Sequence, residues 1–214
     1  MKKAAPKKKA PPATKTPKRV RARRFRLGIY GGTFDPVHHG HLLLARDVLE
    51  QLRFDAILFV PCAQSPFKNR KPRVTDAQRL AMLRLALKGN ARFWLTRSEL
   101  DRPAPSYAID TAQEIRESFP RAELFWLIGA DQLADLDRWH RAEELRELVT
   151  FVLLPRQDDH AAAVPPGVLS LPQPRRVDIS ATEIRHRVKS RQPIDHLVPA
   201  PIAAYIKRHA LYLS

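Results

Sequence analysis

Gly31-Gly32-Thr33-Phe34-Asp35-Pro36-Val37-His38-His39-Gly40-His41 follows directly on a short apolar run, residues 27–30. It opens a segment, residues 41–52, in which Leu42, Ala45, Leu49 and Leu52 fall on one helical face. A strand that meets a double glycine and then a helix is the first unit of a parallel α/β fold. The two glycines let backbone N–H groups come close to a phosphate, and the amino end of the helix adds partial positive charge. His38 and His41, three residues apart, lie on the same side of a helical turn. Gly40 between them is expected to leave room for a ligand against the backbone. Two imidazoles so placed can donate hydrogen bonds to the oxygens of a phosphate under attack. A zinc pair is the other chemical reading, weakened because the pattern lacks the acidic third ligand that such histidine sites recruit.

Outward from this stretch the alternation of strand and helix repeats. Residues 56–60 are a second apolar run, stopped by Pro61, and 61–74 form a polar loop. Thr75 with Gln78 predicts a capping box for a helix through Leu87. Residues 93–95 read as a third strand, and Ser106 is expected to cap a helix reaching about Ser118. Residues 124–128 are a fourth strand, ending at Gly129. Residues 139–148 read as helical with Leu145 and Leu148 inward, and 150–154 as a fifth strand before Pro155. The Pro-rich residues 165–174 read as loop. Ser180 with Glu183 makes a second capping box, for a helix toward Lys189, and a last helix covers 201–211.

This alternation predicts an α/β fold, a doubly wound, Rossmann-like parallel sheet with a small helical C-terminal part. Ligands in such sheets bind where the carboxyl ends of strands meet the amino ends of helices. That rule selects residues 31–41, 61–68, 129–131 and 178–185, and the distinctive motifs all lie there.

The formal charge of +16 is unevenly spread. Residues 1–26 hold 12 lysines and arginines and no acid, whereas the remaining 26 basic residues face 22 acidic ones. Residues 1–24 are expected to be a disordered basic tail ahead of one domain over 25–214. The tail reads as a polyanion-binding arm or as a solvated extension with no dedicated role. Its four prolines, Pro6, Pro11, Pro12 and Pro17, argue against a transit helix, and no apolar stretch follows its basic start as a secretory signal requires. The apolar residues 124–130 are far short of the ~20 needed to span a membrane. A single cysteine, Cys62, makes neither an internal disulfide nor a metal cluster. A cytoplasmic location is expected.

The second motif is Asp178-Ile179-Ser180-Ala181-Thr182-Glu183-Ile184-Arg185. Ser180 starts a helix, so its hydroxyl and the unpaired N–H groups face outward together. Thr182 adds a hydroxyl and Arg185 a planar, permanently charged fork. A capped helix with one arginine is ordinary; paired with the first motif it becomes a second anion cradle. Together the two resemble the nucleotidyltransferase superfamily that carries His-x-Gly-His and a late Ile-Ser-x-Thr-x-x-Arg helix. Within it the chain is similar to the bacterial nicotinate-nucleotide adenylyltransferase family. Pro105-Ser106-Tyr107-Ala108-Ile109-Asp110-Thr111, Leu127-Ile128-Gly129-Ala130-Asp131 and Asp137-Arg138-Trp139-His140 support that likeness, which extends over essentially all of residues 27–214.

The resemblance implies a nucleotidyltransferase domain over 25–214 and a role for each matched residue. His38, His41, Lys68 and Arg185 would act on the triphosphate of ATP, with Ser180 and Thr182 beside them. Gly31, Gly32, Thr33, Phe34, Gly129 and Asp131 would line the nucleotide, with Asp131 accepting from ribose hydroxyls. Arg156, just beyond the fifth strand, would reach a phosphate. Ser106 and Tyr107 would receive the nicotinate carboxylate at a helix amino end, and Trp139 would stack on the pyridine ring or anchor its own segment in the core. Phe67 stands where the family often has histidine before Lys68, and Arg70 is the substitute at hand. His39 has no assigned role.

The implied reaction joins ATP and nicotinate mononucleotide to give nicotinate adenine dinucleotide and pyrophosphate, a step of NAD biosynthesis. Mg²⁺ would be held mainly by the ATP phosphates, with no metal site of the protein's own. Two rivals stand beside it. One is the same chemistry on phosphopantetheine or nicotinamide mononucleotide. The other is a nucleic-acid-binding protein acting through its tail. A class I aminoacyl-tRNA synthetase shares His-x-Gly-His, but 214 residues leave no anticodon-binding region. Oligomeric state is not encoded in any of these motifs.

Overall fold

The computed structural model describes residues 23–64, 71–154, 164–173, 175 and 177–213, and of Asp131 the backbone only. Six strands form one sheet: β1 (Arg26–Gly32), β2 (Ala56–Pro61), β3 (Phe93–Leu95), β4 (Glu123–Gly129), β5 (Thr150–Leu154) and β6 (Val168–Ser170). Their order is β3-β2-β1-β4-β5-β6 and every pairing is parallel. The helices between them are α1 (His39–Gln51), α2 (Asp76–Leu87), α3 (Ser98–Asp101), α4 (Ala108–Ser118), α5 (Ala130–Ala134) and α6 (Ala142–Leu148). A single 3₁₀ turn, Leu136–Arg138, separates α5 from α6, and α7 (Ala181–Lys189) and α8 (Ala200–Arg208) close the described chain.

Why the strands read as unbroken apolar runs is plain from their two faces. On β2, Ile57 and Phe59 enter one core cluster while Ala56, Leu58 and Val60 enter the other. On β4, Phe125 and Leu127 face the first cluster and Leu124, Trp126 and Ile128 the second. A parallel sheet covered on both faces has no solvent side, so alternation disappears. The first face is covered by α1, α2, α7 and α8, through Val48, Leu83, Ile184 and Ile202, and the second by α4 and α6, through Ile115 and Leu145.

The predicted doubly wound sheet is present, with differences at its margins. The Pro-rich stretch 165–174 contains a sixth strand, β6, paired with β5 through Phe151↔Val168. The helix expected over 139–148 does not begin at Trp139. Trp139 ends the 3₁₀ turn in extended backbone, Arg141 adopts φ 53°, and only then does α6 start. The helix expected from His41 begins at His39, and the last helix ends at Arg208 rather than Leu211. Thr75 and Gln78 form the full capping box, but Ser180 makes only its own half, accepting from the Glu183 N–H at 3.1 Å. No described helix is long and apolar enough to cross a membrane.

The order reverses between β1 and β4, whose following chains leave to opposite faces of the sheet. Their carboxyl ends, Gly32 and Gly129, border a crevice that needs no side chain to open it.

Candidate active site at the carboxyl ends of β1 and β4

The turn from Thr33 to His38 leaves β1 and is held by groups from far along the chain. Arg79 of α2, fully buried, donates from Nη1 to the Thr33 carbonyl at 2.8 Å and from Nη2 to Asp76 Oδ1 at 2.5 Å. Arg185 of α7 donates from Nη1 to the Asp35 carbonyl at 2.7 Å. The buried Asp35 carboxylate accepts from the Arg73 N–H at 2.6 Å and from the Tyr212 hydroxyl at 2.7 Å. The two motifs, 150 residues apart between Asp35 and Arg185, therefore meet at the mouth of the crevice. Phe34 takes φ 49°, a left-handed conformation that costs a non-glycine residue about 1–2 kcal/mol. Its ring is buried and leaves only its backbone available to a ligand.

The imidazoles of His38 and His41 stack, with centroids 3.7 Å apart and planes 30° apart. Phe34 meets His41 edge to face at 5.0 Å, and Tyr30 does so at 6.0 Å. The His38 N–H donates to His41 Nδ1 at 3.2 Å. An Nδ1 that accepts carries no proton, so neutral His41 holds its hydrogen on Nε2 and donates from there. His38 is buried, and burial, helped by the charge of His39, lowers its pKa from 6.5 to about 4. Two stacked rings that are both neutral avoid the like-charge repulsion that two imidazolium ions would suffer. His38 Nδ1 is buried without a hydrogen-bond partner and lies against the first turn of α1.

Gly40 does not leave the open space anticipated for it. A Cβ there would lie 3.0 Å from His38 Nδ1 and 3.2 Å from Val177 Cγ1. The missing side chain admits the imidazole itself, pressed against the first turn of α1. Gly31 likewise makes room for Trp126, 3.3 Å from its absent Cβ, and Gly32 for the Phe34 ring at 3.0 Å. His39, without an assigned role from sequence, donates its N–H to the Leu197 carbonyl at 2.9 Å and so docks α1 on the segment before α8.

On α7, Ser180 Oγ spends an acceptor on the helix cap, which leaves its O–H to donate outward. Thr182 Oγ1 accepts from Arg185 Nη2 at 3.1 Å and steadies the guanidinium. Across the crevice Gly129 stands at the N-cap position of α5 and gives its N–H to Gln132 Oε1 at 3.3 Å. Lys68 and Arg156, with Phe67 and Arg70, lie outside the described residues, as does the Asp131 side chain.

Ser106 is not the cap of α4; Tyr107 occupies that position and makes no side-chain cap bond. The Ser106 hydroxyl instead accepts from the Ala63 N–H at 3.1 Å and bonds Glu99. Glu99, which sequence reasoning missed, is a buried carboxyl that also accepts from Thr111 Oγ1 at 2.7 Å. Burial raises its pKa against those hydrogen bonds and the charge of Arg102. Tyr107 meets the His140 ring at 4.4 Å, with the planes tilted by 35°. Trp139 is half-buried, edge-on to Trp126 and to Phe151 at 6.3 Å each. Asp35, Arg79 and Tyr212 were also missed; Asp35 was signalled only by lying inside the first motif. Among the described residues no group of three or more His, Cys, Asp or Glu gathers as a metal cage.

Residues 29–187 match the cytidylyltransferase-like family. A protein of Methylacidiphilum infernorum named "probable nicotinate-nucleotide adenylyltransferase" is 46% identical, covering 88% of this chain and 93% of its own length. The nicotinate-nucleotide adenylyltransferase of Bacillus subtilis is 37% identical, covering 88% and 99%. Among solved structures, the Plasmodium falciparum nicotinic acid mononucleotide adenylyltransferase complexed with NaAD superposes with a TM-score of 0.71. It covers 88% of this chain and 98% of its own at 19% identity, a likeness of fold.

Proposed function

The chain belongs to the cytidylyltransferase-like family, among its nicotinate-nucleotide adenylyltransferases, and from that premise we propose how its crevice carries out adenylyl transfer. The enzyme transfers the adenylyl group of ATP to nicotinate mononucleotide in NAD biosynthesis. An oxygen of the acceptor's 5′-phosphate attacks the α-phosphorus of ATP, the bond to the bridging oxygen breaks, and pyrophosphate leaves. The attacking group is already an anion, so no general base is needed; positioning and charge stabilisation carry the reaction.

The observation that carries the reading is the meeting of Arg185 with the turn that bears the stacked histidines. In our reading His41 Nε2–H and His38 donate to phosphate oxygens at the β1 end of the crevice. Arg185 and the Ser180 hydroxyl stand on its other wall. Gly31, Gly32 and Thr33 contribute backbone, and Gly129 and Asp131 take the adenosine side. Lys68 and Arg156 retain the phosphate roles that the resemblance implies. Neutral imidazoles suit this task, because they donate without needing a proton from solvent. Tyr107 and Trp139 flank the acceptor. The Ser106 hydroxyl, tied to Ala63 and Glu99, serves as framework, so carboxylate recognition falls to the backbone around it. A donor set this poor in acids fits a Mg²⁺ ion that arrives on the triphosphate. When bound, the ion neutralises phosphate charge.

We assign the enzyme to the cytoplasm. The basic residues 1–24 lie mainly outside the described residues and keep the proposed polyanion contact as a separate property.

Pyrophosphate release measured with ATP and each acceptor in turn tests the substrate. Nicotinate mononucleotide is expected to be preferred, and a preference for nicotinamide mononucleotide or phosphopantetheine refutes the acceptor assignment. His38→Ala and His41→Ala are each expected to lower kcat by about 10²–10³ with the fold intact.

A further inference from the structure

We propose that Tyr212 is a positioning residue for the histidine pair, its phenol holding the Asp35 carboxylate and, through it, the turn that presents His38 and His41. The bond spans 177 residues and is buried at both ends. Asp35 is the node of the turn. Its Oδ1 accepts from Tyr212 at 2.7 Å, its Oδ2 from the Arg73 N–H at 2.6 Å, and its carbonyl from Arg185 Nη1 at 2.7 Å. One residue thus joins the glycine turn, the chain entering α2, the anion-cradle helix α7 and the segment after α8.

Backbone conformation points the same way. Phe34 on the turn and Tyr212 itself both hold positive φ, 49° and 64°, with Ala210 at 50°. Non-glycine residues keep such angles only where surrounding contacts over-determine them. At this junction those contacts are the Asp35 bonds and the packing of the Tyr212 ring in the core. Burial and the neighbouring Asp35 charge keep the phenol protonated, so it remains a donor. Nothing in the reaction asks Tyr212 to touch a substrate; its effect passes through Asp35, three residues before His38.

The readout is the tautomer of His41. Its Nδ1 accepts the His38 N–H only while the turn keeps its shape. In the substrate-free wild-type protein, imidazole ¹⁵N spectra are expected to show the Nε2–H form of His41 as dominant. Tyr212→Phe keeps the ring and removes one donor, leaving Asp35 Oδ1 unpaired. We expect the His41 nitrogens to move toward a tautomer average, and kcat to fall about tenfold with the acceptor KM unchanged. Asp35→Asn replaces one acceptor of the node by a donor and is expected to shift the same resonances, which keeps the test available if the phenylalanine variant unfolds. A wild-type His41 spectrum in either folded variant overturns the proposal. The rate effect rests on the adenylyl-transfer reading, but the spectrum is recorded without substrate and separates the two. An inactive wild-type enzyme would remove that reading and leave the latch standing.

Discussion

Replacing Gly40 by alanine sets two effects against each other. In the interior of a helix the change is worth up to about 1 kcal/mol in favour of the alanine, and less in the first turn, where Gly40 stands. The new Cβ would lie 3.0 Å from His38 Nδ1, 3.1 Å from its Cε1 and 3.2 Å from Val177 Cγ1. Comfortable separations start near 3.5 Å, so the imidazole must retreat by roughly half an ångström. It cannot do so freely, because it stacks on His41 at a centroid distance of 3.7 Å. A misplacement of 1 Å can cost 10²-fold in rate; half of that is about tenfold, or 1.4 kcal/mol of barrier. Gly40→Ala is therefore expected to keep or slightly raise its melting temperature while kcat/KM for ATP falls about tenfold. Thermal unfolding and continuous pyrophosphate release on one preparation measure both. Unchanged kcat/KM would refute the claim that the absent side chain exists to seat His38.

Two further outcomes follow from buried charge. His38 titrates at about 4 in the folded chain against 6.5 when unfolded, so between those values the unfolded chain binds the extra proton. Its contribution is nil above pH 6.5, and stability falls as the pH drops to 4, by on the order of 3 kcal/mol. Urea unfolding at pH 4.5 and 7 should show a smaller difference in His38→Gln than in the wild type; equal differences contradict the assignment. Arg79→Met removes the donor to the Thr33 carbonyl, whereas Asp76, half exposed, regains water. The orphaned carbonyl sets the cost at about 1–3 kcal/mol, read as a lower urea midpoint, and kcat should fall with it.

The first five strands were legible within a residue or two because strands buried on both faces are uninterrupted apolar runs. β6 was not, since three residues inside a Pro-rich stretch carry no period, and α3 and α5, of four and five residues, are too short to show a helical stripe. Both motifs that meet through Arg185 and Asp35 were readable, because glycine turns and helix caps have local signatures. Contacts that cross the fold have none. Nothing near Tyr212 announces Asp35, and Arg79 sits in sequence among Leu80, Met82 and Leu83 like any helix surface residue. Ser106 misled for a physical reason. A serine ahead of a helix is a good cap on average, but here an amide of the neighbouring loop and a buried carboxyl outbid the helix for its hydroxyl.

The reversal of strand order also sorts the machinery by origin. The imidazoles hang from β1 and α1 and the guanidinium from α7, whereas Tyr107 and Trp139 hang from the connections flanking β4. Because the two sets share little covalent neighbourhood, the proposed acceptor role of Tyr107 and Trp139 implies that exchanging the connections around residues 102–107 and 139–141 would change the recipient. The donor side would be inherited unchanged, making this sheet a chassis for joining adenylate to other phosphorylated small molecules.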